Sequence, residues 1–223
     1  MLRLDRDQVT STGRLEAILE EFRSGEASVL MGTQMLAKGH DFPGVTLVVV
    51  ILADAILKFP DFRAHERALQ ILLQVSGRAG RREKQGRVLI QTYDTEHPVL
   101  GVLQNVMTQD QFLEQESQVR KDLGYPPFGK MALLRVQHSK SGESEKWLES
   151  LRTQIEDSFV NIRALGPTPP LIERVQGLYR MDLLLKAKEM KPLHQAVEFS
   201  RLAALRDGVS LLVDIDPHTL GSG

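Results

Sequence analysis

The chain has 223 residues, a formal net charge of −1, 42% hydrophobic and 26% charged residues, the composition of a globular chain with room for one large core or two small ones. That balance excludes a strongly basic or acidic particle, so any affinity for nucleic acid has to come from local basic patches. The lack of cysteine excludes disulfides and thiolate metal sites, and the longest apolar run, Leu47–Ala53, falls far short of the ~20 residues of a membrane span.

In chain order, Met1–Asp7 is too charged for a signal peptide, and the expectation is a cytoplasmic protein with no membrane partner. Leu15, Ile18, Leu19 and Phe22 recur at helical spacing behind Ser11 and Thr12, a predicted N-cap, and Gly25 closes that helix. Ala27–Met31 reads as a short strand running into Gly32 and Thr33. Val45–Leu52 is nearly continuous in β-branched and apolar residues, which predicts a strand buried on both faces of a parallel sheet. Ala64–Val75 follows as a helix with Leu69, Leu72 and Leu73 inward, and Arg87–Tyr93 as the next strand. Strand, helix and strand in turn argue for an α/β domain over residues 1–94, a parallel sheet with crossover helices.

Residues 95–128 read as a helical linker. Pro98 suits the first turn of a helix over 98–107, Thr108-x-x-Gln111 is a capping box for a second helix reaching Leu123, and Gly124-Tyr-Pro-Pro-Phe-Gly129 breaks it. From 129 to 223 the predicted order is strand (Met131–His138), helix (Ser144–Asp157), strand (Val160–Leu165), strand (Tyr179–Ala187), helix (Pro192–Leu205) and strand (Val209–Ile215). That β-α-β-β-α-β order is the ferredoxin-like plan. Trp147 and Phe159 are assigned to its core.

Two segments carry chemistry. In Gln74-Val-Ser-Gly-Arg78-Ala-Gly-Arg81, two arginines three residues apart follow glycines where a helix ends. Guanidinium forks suit phosphate oxygens, and an arginine aimed at a γ-phosphate stabilises charge that develops during phosphoryl transfer. Read alone, the same residues also describe a basic surface loop, since Arg82, Lys84 and Arg87 follow closely. The second segment, Gly32-Thr-Gln-Met-Leu-Ala-Lys38-Gly39-His-Asp41-Phe-Pro43, nearly imitates a phosphate-binding loop. Ala37 stands where that loop needs its second glycine, however, and Gly39 where it needs the magnesium-binding hydroxyl. It is not a Walker A loop, and the run ending in Ala53-Asp54 has no Walker B acidic pair.

In order and spacing the two segments resemble motifs V and VI in the second motor lobe of superfamily 2 helicases. Further blocks narrow the resemblance to the primosomal protein N′ (PriA) family of replication-restart helicases: Phe59-Pro-Asp-Phe-Arg63 with Glu66-Arg67, Leu123–Gly129, Gly166-Pro167, Ile172-Glu-Arg174, Tyr179-Arg180 and Val213-Asp-Ile-Asp-Pro217. The resemblance covers essentially the whole chain. It implies a partial RecA-like lobe 2 followed by an α+β domain like ribosomal protein S10. It also implies that the chain takes up the family's sequence after the zinc-binding cysteines, so that zinc belongs to the full-length family and not to these residues. ATP and magnesium would be bound mainly by the first lobe. Arg81 would be the arginine finger with Arg78 beside it, Gly39, Asp41 and Gln74 would serve the nucleotide, and Thr33 would touch the DNA backbone. In the C-terminal domain Arg174, Arg180, Lys186 and Lys188 would be the basic residues for branched or forked DNA, or for the acidic tail of the single-stranded-DNA-binding protein. Other primosome proteins are the remaining partners implied. Leu52-Ala53-Asp54 departs from the family's Asp-Ala-Asp.

The expected activity is that of an ATP-dependent 3′→5′ DNA helicase acting in replication restart, with this chain alone inactive for want of Walker A and B. The alternative is a non-catalytic module that binds forks or the single-stranded-DNA-binding protein. Asp214 and Asp216 lack a third ligand for a metal, and His40, His65 and His97 fit no metal-ligand spacing. Tyr179 could stack on a base, but reads more simply as a half-buried strand residue.

Overall fold

A computed structural model describes residues 1–4, 12–33, 44–77 and 86–220. The predicted N-cap at Ser11 and the Thr12 side chain falls outside them. The chain divides into two compact units, Met1–Phe59 with Ala64–Thr108, and Pro60–Arg63 with Gln109–Gly223.

In the first unit, β1 (Leu2–Leu4) and β2 (Leu30–Gly32) pair in parallel, with Leu2 opposite Leu30. The helix α1 (Thr12–Arg23) buries Leu19 with Leu4, and Leu15, Ile18, Phe22, Leu30 and Val45 pack around them. A second parallel pair joins β3 (Leu47–Val50) to β4 (Arg87–Ile90), with Val49 opposite Leu89. Between these strands lie α2 (Asp54–Leu57) and α3 (Ala64–Ser76), and α3 turns Ala64, Ala68, Leu69 and Leu72 inward. The expectation that Val45–Leu52 is buried on both faces fails here. Leu47 is 49% exposed, Val49 53% and Leu89 56%, because among the described residues β3 has one neighbouring strand and only one face of the pair is covered. The helix α4 (Pro98–Leu103) is shorter than the 98–107 predicted, since Asn105 turns to φ 59° and the Val106 and Met107 N–H groups both fold back onto the Gly101 carbonyl. His97 caps α4, its Nδ1 accepting the Val99 N–H at 3.3 Å, and its ring meets His65 edge to face at 4.7 Å.

The second unit opens with α5 (Gln109–Leu123) and continues as β5 (Lys130–His138), α6 (Glu143–Ser158), β6 (Ile162–Thr168), β7 (Arg174–Val175), β8 (Leu178–Ala187), α7 (Met190–Asp207) and β9 (Leu211–Ile215). The residues read as one linker thus hold two helices that belong to different units. The sheet runs β6-β8-β5-β9 with every neighbour antiparallel, the ferredoxin-like arrangement expected from the element order. β6 loses register between Leu165 and Thr168, at Gly166-Pro167. One element the sequence reading omits is β7, which forms a hairpin with β8 through Gln176 (φ 49°) and Gly177 (φ 85°), a pair of positive φ values that suits a two-residue turn.

Alternation on β5 and β8 sorts the residues into two faces. Ala132, Leu134, Val136, Leu183 and Leu185 meet Leu148, Leu151 and Ile155 of α6 and Leu193, Ala196 and Val197 of α7 in one core. Trp147 and Phe159 pack against that core, Trp147 with its indole N–H on the Asp207 carboxylate at 2.9 Å. The opposite face carries Met131, Leu133 and Arg135 beside Arg180, Asp182, Leu184 and Lys186. There Arg135 and Asp182 are direct cross-strand partners in a bidentate ion pair, Nε–Oδ1 2.7 Å and Nη2–Oδ2 2.8 Å, both buried. The paired carboxylate, aided by the charge of Asp214, holds Arg135 even further above neutrality than an ordinary arginine.

Candidate functional site

Arg78, Arg81, Gly39 and Asp41 lie outside the described residues. The structure gives what leads into them. Thr33 is exposed directly after β2, and Gln74 is exposed on the last turn of α3, whose hydrogen bonding runs on to Gly77 N–H on the Leu73 carbonyl at 2.9 Å. Asp54, the acid that remains after Leu52-Ala53, is engaged by its own fold. Its Oδ2 accepts the Tyr93 N–H at 3.0 Å and its Oδ1 lies 3.4 Å from Lys58 Nζ. The Tyr93 N–H holds the Asp54 carboxyl below the usual aspartate value. This aspartate fastens the start of α2 to the segment after β4, next to the Ala53 N–H on the Gln91 carbonyl at 2.9 Å.

The four basic residues assigned to the C-terminal domain do not form one patch. Arg180 and Lys186 share the sheet face away from the helices but stand six residues apart on β8, roughly 20 Å at the rise of a strand. Arg174 is exposed on β7, with its guanidinium 4.9 Å from the ring of half-buried Tyr179. Lys188 is exposed just beyond the end of β8. Lys186 corrects the reading of a solvent-facing cation. It is 8% exposed, donates from Nζ to the Leu123 carbonyl, and lies 3.8 Å from the centre of the Tyr125 ring. Burial, with Arg163 nearby, holds its ammonium below the usual lysine value. A lysine so placed, nearly buried, organises the α5–β5 connection.

A cluster without a role in the sequence reading surrounds Phe62. The segment Pro60–Arg63 belongs to the second unit, although α2 and α3 on either side of it belong to the first. Phe62 stacks on Tyr125, ring centres 5.2 Å apart and planes within 10°, and the Arg120 guanidinium lies 5.3 Å from the Phe62 centre. Asp61 accepts the Arg63 N–H at 2.8 Å and the Leu220 N–H at 3.1 Å, and Arg63 Nη1 lies 3.1 Å from His218 Nδ1. Two glycines place Tyr125 for this contact. Gly124 ends α5 at φ 64°, letting the Tyr125 N–H return to the Arg120 carbonyl at 2.8 Å. Gly129 is buried so close to the Gly124 carbonyl that any Cβ there would overlap it. Both blocks were visible in the sequence as aromatic and proline-rich segments, but their meeting is a non-local event.

Beside this cluster a hollow of about 480 Å³ opens over the sheet, with Leu133, Leu184, Pro170, Leu171 and Leu220 among its walls. Its charged groups, Glu173 and Asp182, are acidic, which disfavours a phosphate there. Among the described residues no group of three His, Asp or Glu side chains is arranged to hold a metal ion, and no helix is long and apolar enough to cross a membrane.

Comparison with known proteins accords with this division. Residues 4–83 match the helicase conserved C-terminal domain, and residues 121–218 match the primosomal protein N C-terminal domain. Replication restart protein PriA of Haemophilus influenzae is 40% identical over 98% of this chain, that of Synechocystis 40% over 98%, and that of Bacillus subtilis 35% over 99%. The chain spans 30%, 26% and 28% of those proteins, under a third of each. Among solved structures, a de novo designed protein, Foldit4, overlays 39% of the chain with a TM-score of 0.32 at 8% identity, too loose a likeness to bear on the fold. With helicase-lobe and C-terminal-domain matches in succession, and relatives aligned over nearly its whole length, the chain belongs to the PriA family of replication restart proteins.

Proposed function

We propose that this chain serves as the C-terminal part of an ATP-dependent 3′→5′ DNA helicase that binds stalled or branched forks and restarts replication. The supporting observation is the co-linear match of both units to replication restart proteins named PriA. In this reading Arg81, with Arg78, reaches the γ-phosphate of an ATP held with magnesium mainly by the other lobe. Gly39, Asp41 and Gln74 line the nucleotide, and Thr33 meets the DNA backbone. Of the four basic residues assigned to the second unit, Arg174, Arg180 and Lys188 would attract DNA or the acidic tail of the single-stranded-DNA-binding protein. Arg174 and Arg180 adjoin on the β7–β8 hairpin and Lys188 lies beyond the far end of β8; phosphate contacts there would position the protein, while the shape of the DNA would supply the preference for a fork.

Two experiments test this. In a full-length protein carrying this sequence, Arg81→Ala should lower DNA-stimulated ATP turnover by on the order of 10³-fold while ATP binding survives; unchanged turnover removes the finger assignment. Fluorescence anisotropy of the chain itself against a forked DNA and a matched duplex, at two salt concentrations, tests the second unit. Salt-sensitive preference for the fork supports recognition by this unit alone. Absence of binding to either, by folded protein, assigns DNA recognition to the rest of the full-length protein. The second unit has its own closed core, so fork binding without any effect of Arg81→Ala would favour the alternative, a non-catalytic module.

A further inference from the structure

The β7–β8 hairpin belongs to a row of three planar side chains that crosses three strands of the second unit. Arg174 on β7 stands directly opposite Tyr179 on β8, and Tyr179 directly opposite His138 on β5. Direct partners in antiparallel strands point to one side of the sheet, so guanidinium, phenol and imidazole lie side by side. Leu183 and Leu185 share that side, but Tyr179 lies beyond them on β8 and outside the core they form with the helices. Arg174 and His138 are exposed and Tyr179 is half-buried. The Arg174 guanidinium lies over the Tyr179 ring, 4.9 Å from its centre, a cation–π contact that restrains a side chain otherwise free to swing. The turn at Gln176-Gly177, with positive φ at both residues, brings the two together. His138 is restrained as well, since its Nδ1 accepts the Lys140 N–H at 3.0 Å.

We propose that Arg174 is a stacking shelf for one unpaired base of single-stranded DNA, with Tyr179 as the positioning residue beneath it and His138 as a second ring at the end of the row. A guanidinium held against an aromatic ring on one face keeps its other face for a second planar group. Every nucleobase has a π-face that suits it, whereas bases inside a duplex cover one another's faces. The ring beneath also favours arginine over lysine, because a compact ammonium would attract phosphate equally well and gain nothing from being held in a plane. The inference rests on the DNA-binding reading above and narrows it: the single-stranded arm of a fork, and not its duplex, meets the hairpin.

The test is fluorescence anisotropy of the full chain with labelled oligothymidylate, an abasic strand of the same length, and a blunt duplex. The abasic strand keeps the phosphates and lacks the bases. Stacking requires oligothymidylate to bind the parent about tenfold more tightly than the abasic strand. Arg174→Lys, which keeps the charge and loses the plane, should remove most of that ratio. Tyr179→Ala should do the same, and Tyr179→Phe, which keeps the ring, should restore it. Because Arg174 is exposed, Arg174→Lys carries the test even where Tyr179→Ala unfolds the hairpin. A ratio near one in the parent, or the parent's ratio in Arg174→Lys, overturns the proposal by reducing Arg174 to a point charge. An equal loss on the blunt duplex overturns it too. Those results leave the DNA-binding reading standing, whereas absence of binding to all three probes by folded protein removes that reading and the shelf together.

Discussion

Asp182→Ala tests the reasoning about the second unit most directly. The Asp182 carboxylate meets Arg135 through two hydrogen bonds of 2.7 and 2.8 Å, and the two residues are 4% and 7% exposed on the central strands β8 and β5. Removing the carboxylate leaves a guanidinium buried without its partner, which typically costs about 3–5 kcal/mol. Asp214, whose charge also acts on Arg135, places the expected loss near the lower limit, about 3 kcal/mol. With a urea m-value of about 1.5 kcal/mol/M for a unit of this size, the unfolding midpoint should fall by roughly 2 M. Trp147 is the sole tryptophan and packs on the second unit's core, so its fluorescence follows this unit without contribution from the other. Replacing both partners with leucine removes the unpaired charge and should recover the unfolding free energy to within about 1 kcal/mol of the parent. A shift below about 0.5 M for the single variant, or a double variant no better than the single, would refute the assignment of a desolvated, mutually dependent pair.

Three further outcomes follow from the geometry. Lys186→Ala should lower the stability of the second unit by about 2 kcal/mol, the loss of a charged hydrogen bond and a cation–π contact. Its DNA affinity should not change in anisotropy at equal folded fraction. Gly129→Ala should cost more than about 2 kcal/mol, since the new Cβ meets backbone of Gly124 that cannot step aside; an unchanged thermal midpoint would count against the described turn. Asp54 has its carboxyl lowered from the ordinary 3.8 by the Tyr93 N–H, so its contribution is complete above that value and disappears as pH falls through the lower folded value. Asp54→Asn should flatten that acid-side loss of protection in the β3–β4 amides, and an identical pH profile in parent and variant would argue against the clamp.

Periodicity made the larger elements legible. The helical spacing of Leu15, Ile18, Leu19 and Phe22 follows from side-chain geometry within one element and placed α1, and the β-α-β-β-α-β order of the second half placed its sheet. What was not legible depended on partners distant in sequence. Lys186 sits at a position whose parity faces away from the helix core, which reads as solvent. Only the Leu123 carbonyl and the Tyr125 ring, more than sixty residues earlier, turn that position inward. The exposed face of β3 failed for a related reason. A β-branched run reports the strand's capacity for burial on two sides, whereas cover on the second side has to be supplied by another element. The hairpin through Gln176-Gly177 escaped notice because its first turn residue is not the asparagine or aspartate that usually announces such a turn. Arg78 and Arg81 stand out in the sequence as a motif, and they belong to residues the structure does not describe.

The loss of register in β6 at Gly166-Pro167 bears on how the second unit behaves when crowded with its own copies. Among the described residues β9 is the outer strand at one border of that sheet, and β6 with the short β7 makes up the other. A proline and an irregularity on β6 interrupt the row of N–H and C=O groups that another strand would need. β9, with Leu211, Leu212 and Val213 in sequence and no proline, has no strand on its outer side among the described residues. A sheet with one interrupted border and one continuous border favours pairing with its twin through the continuous side, and association of that kind closes on itself as a two-fold pair.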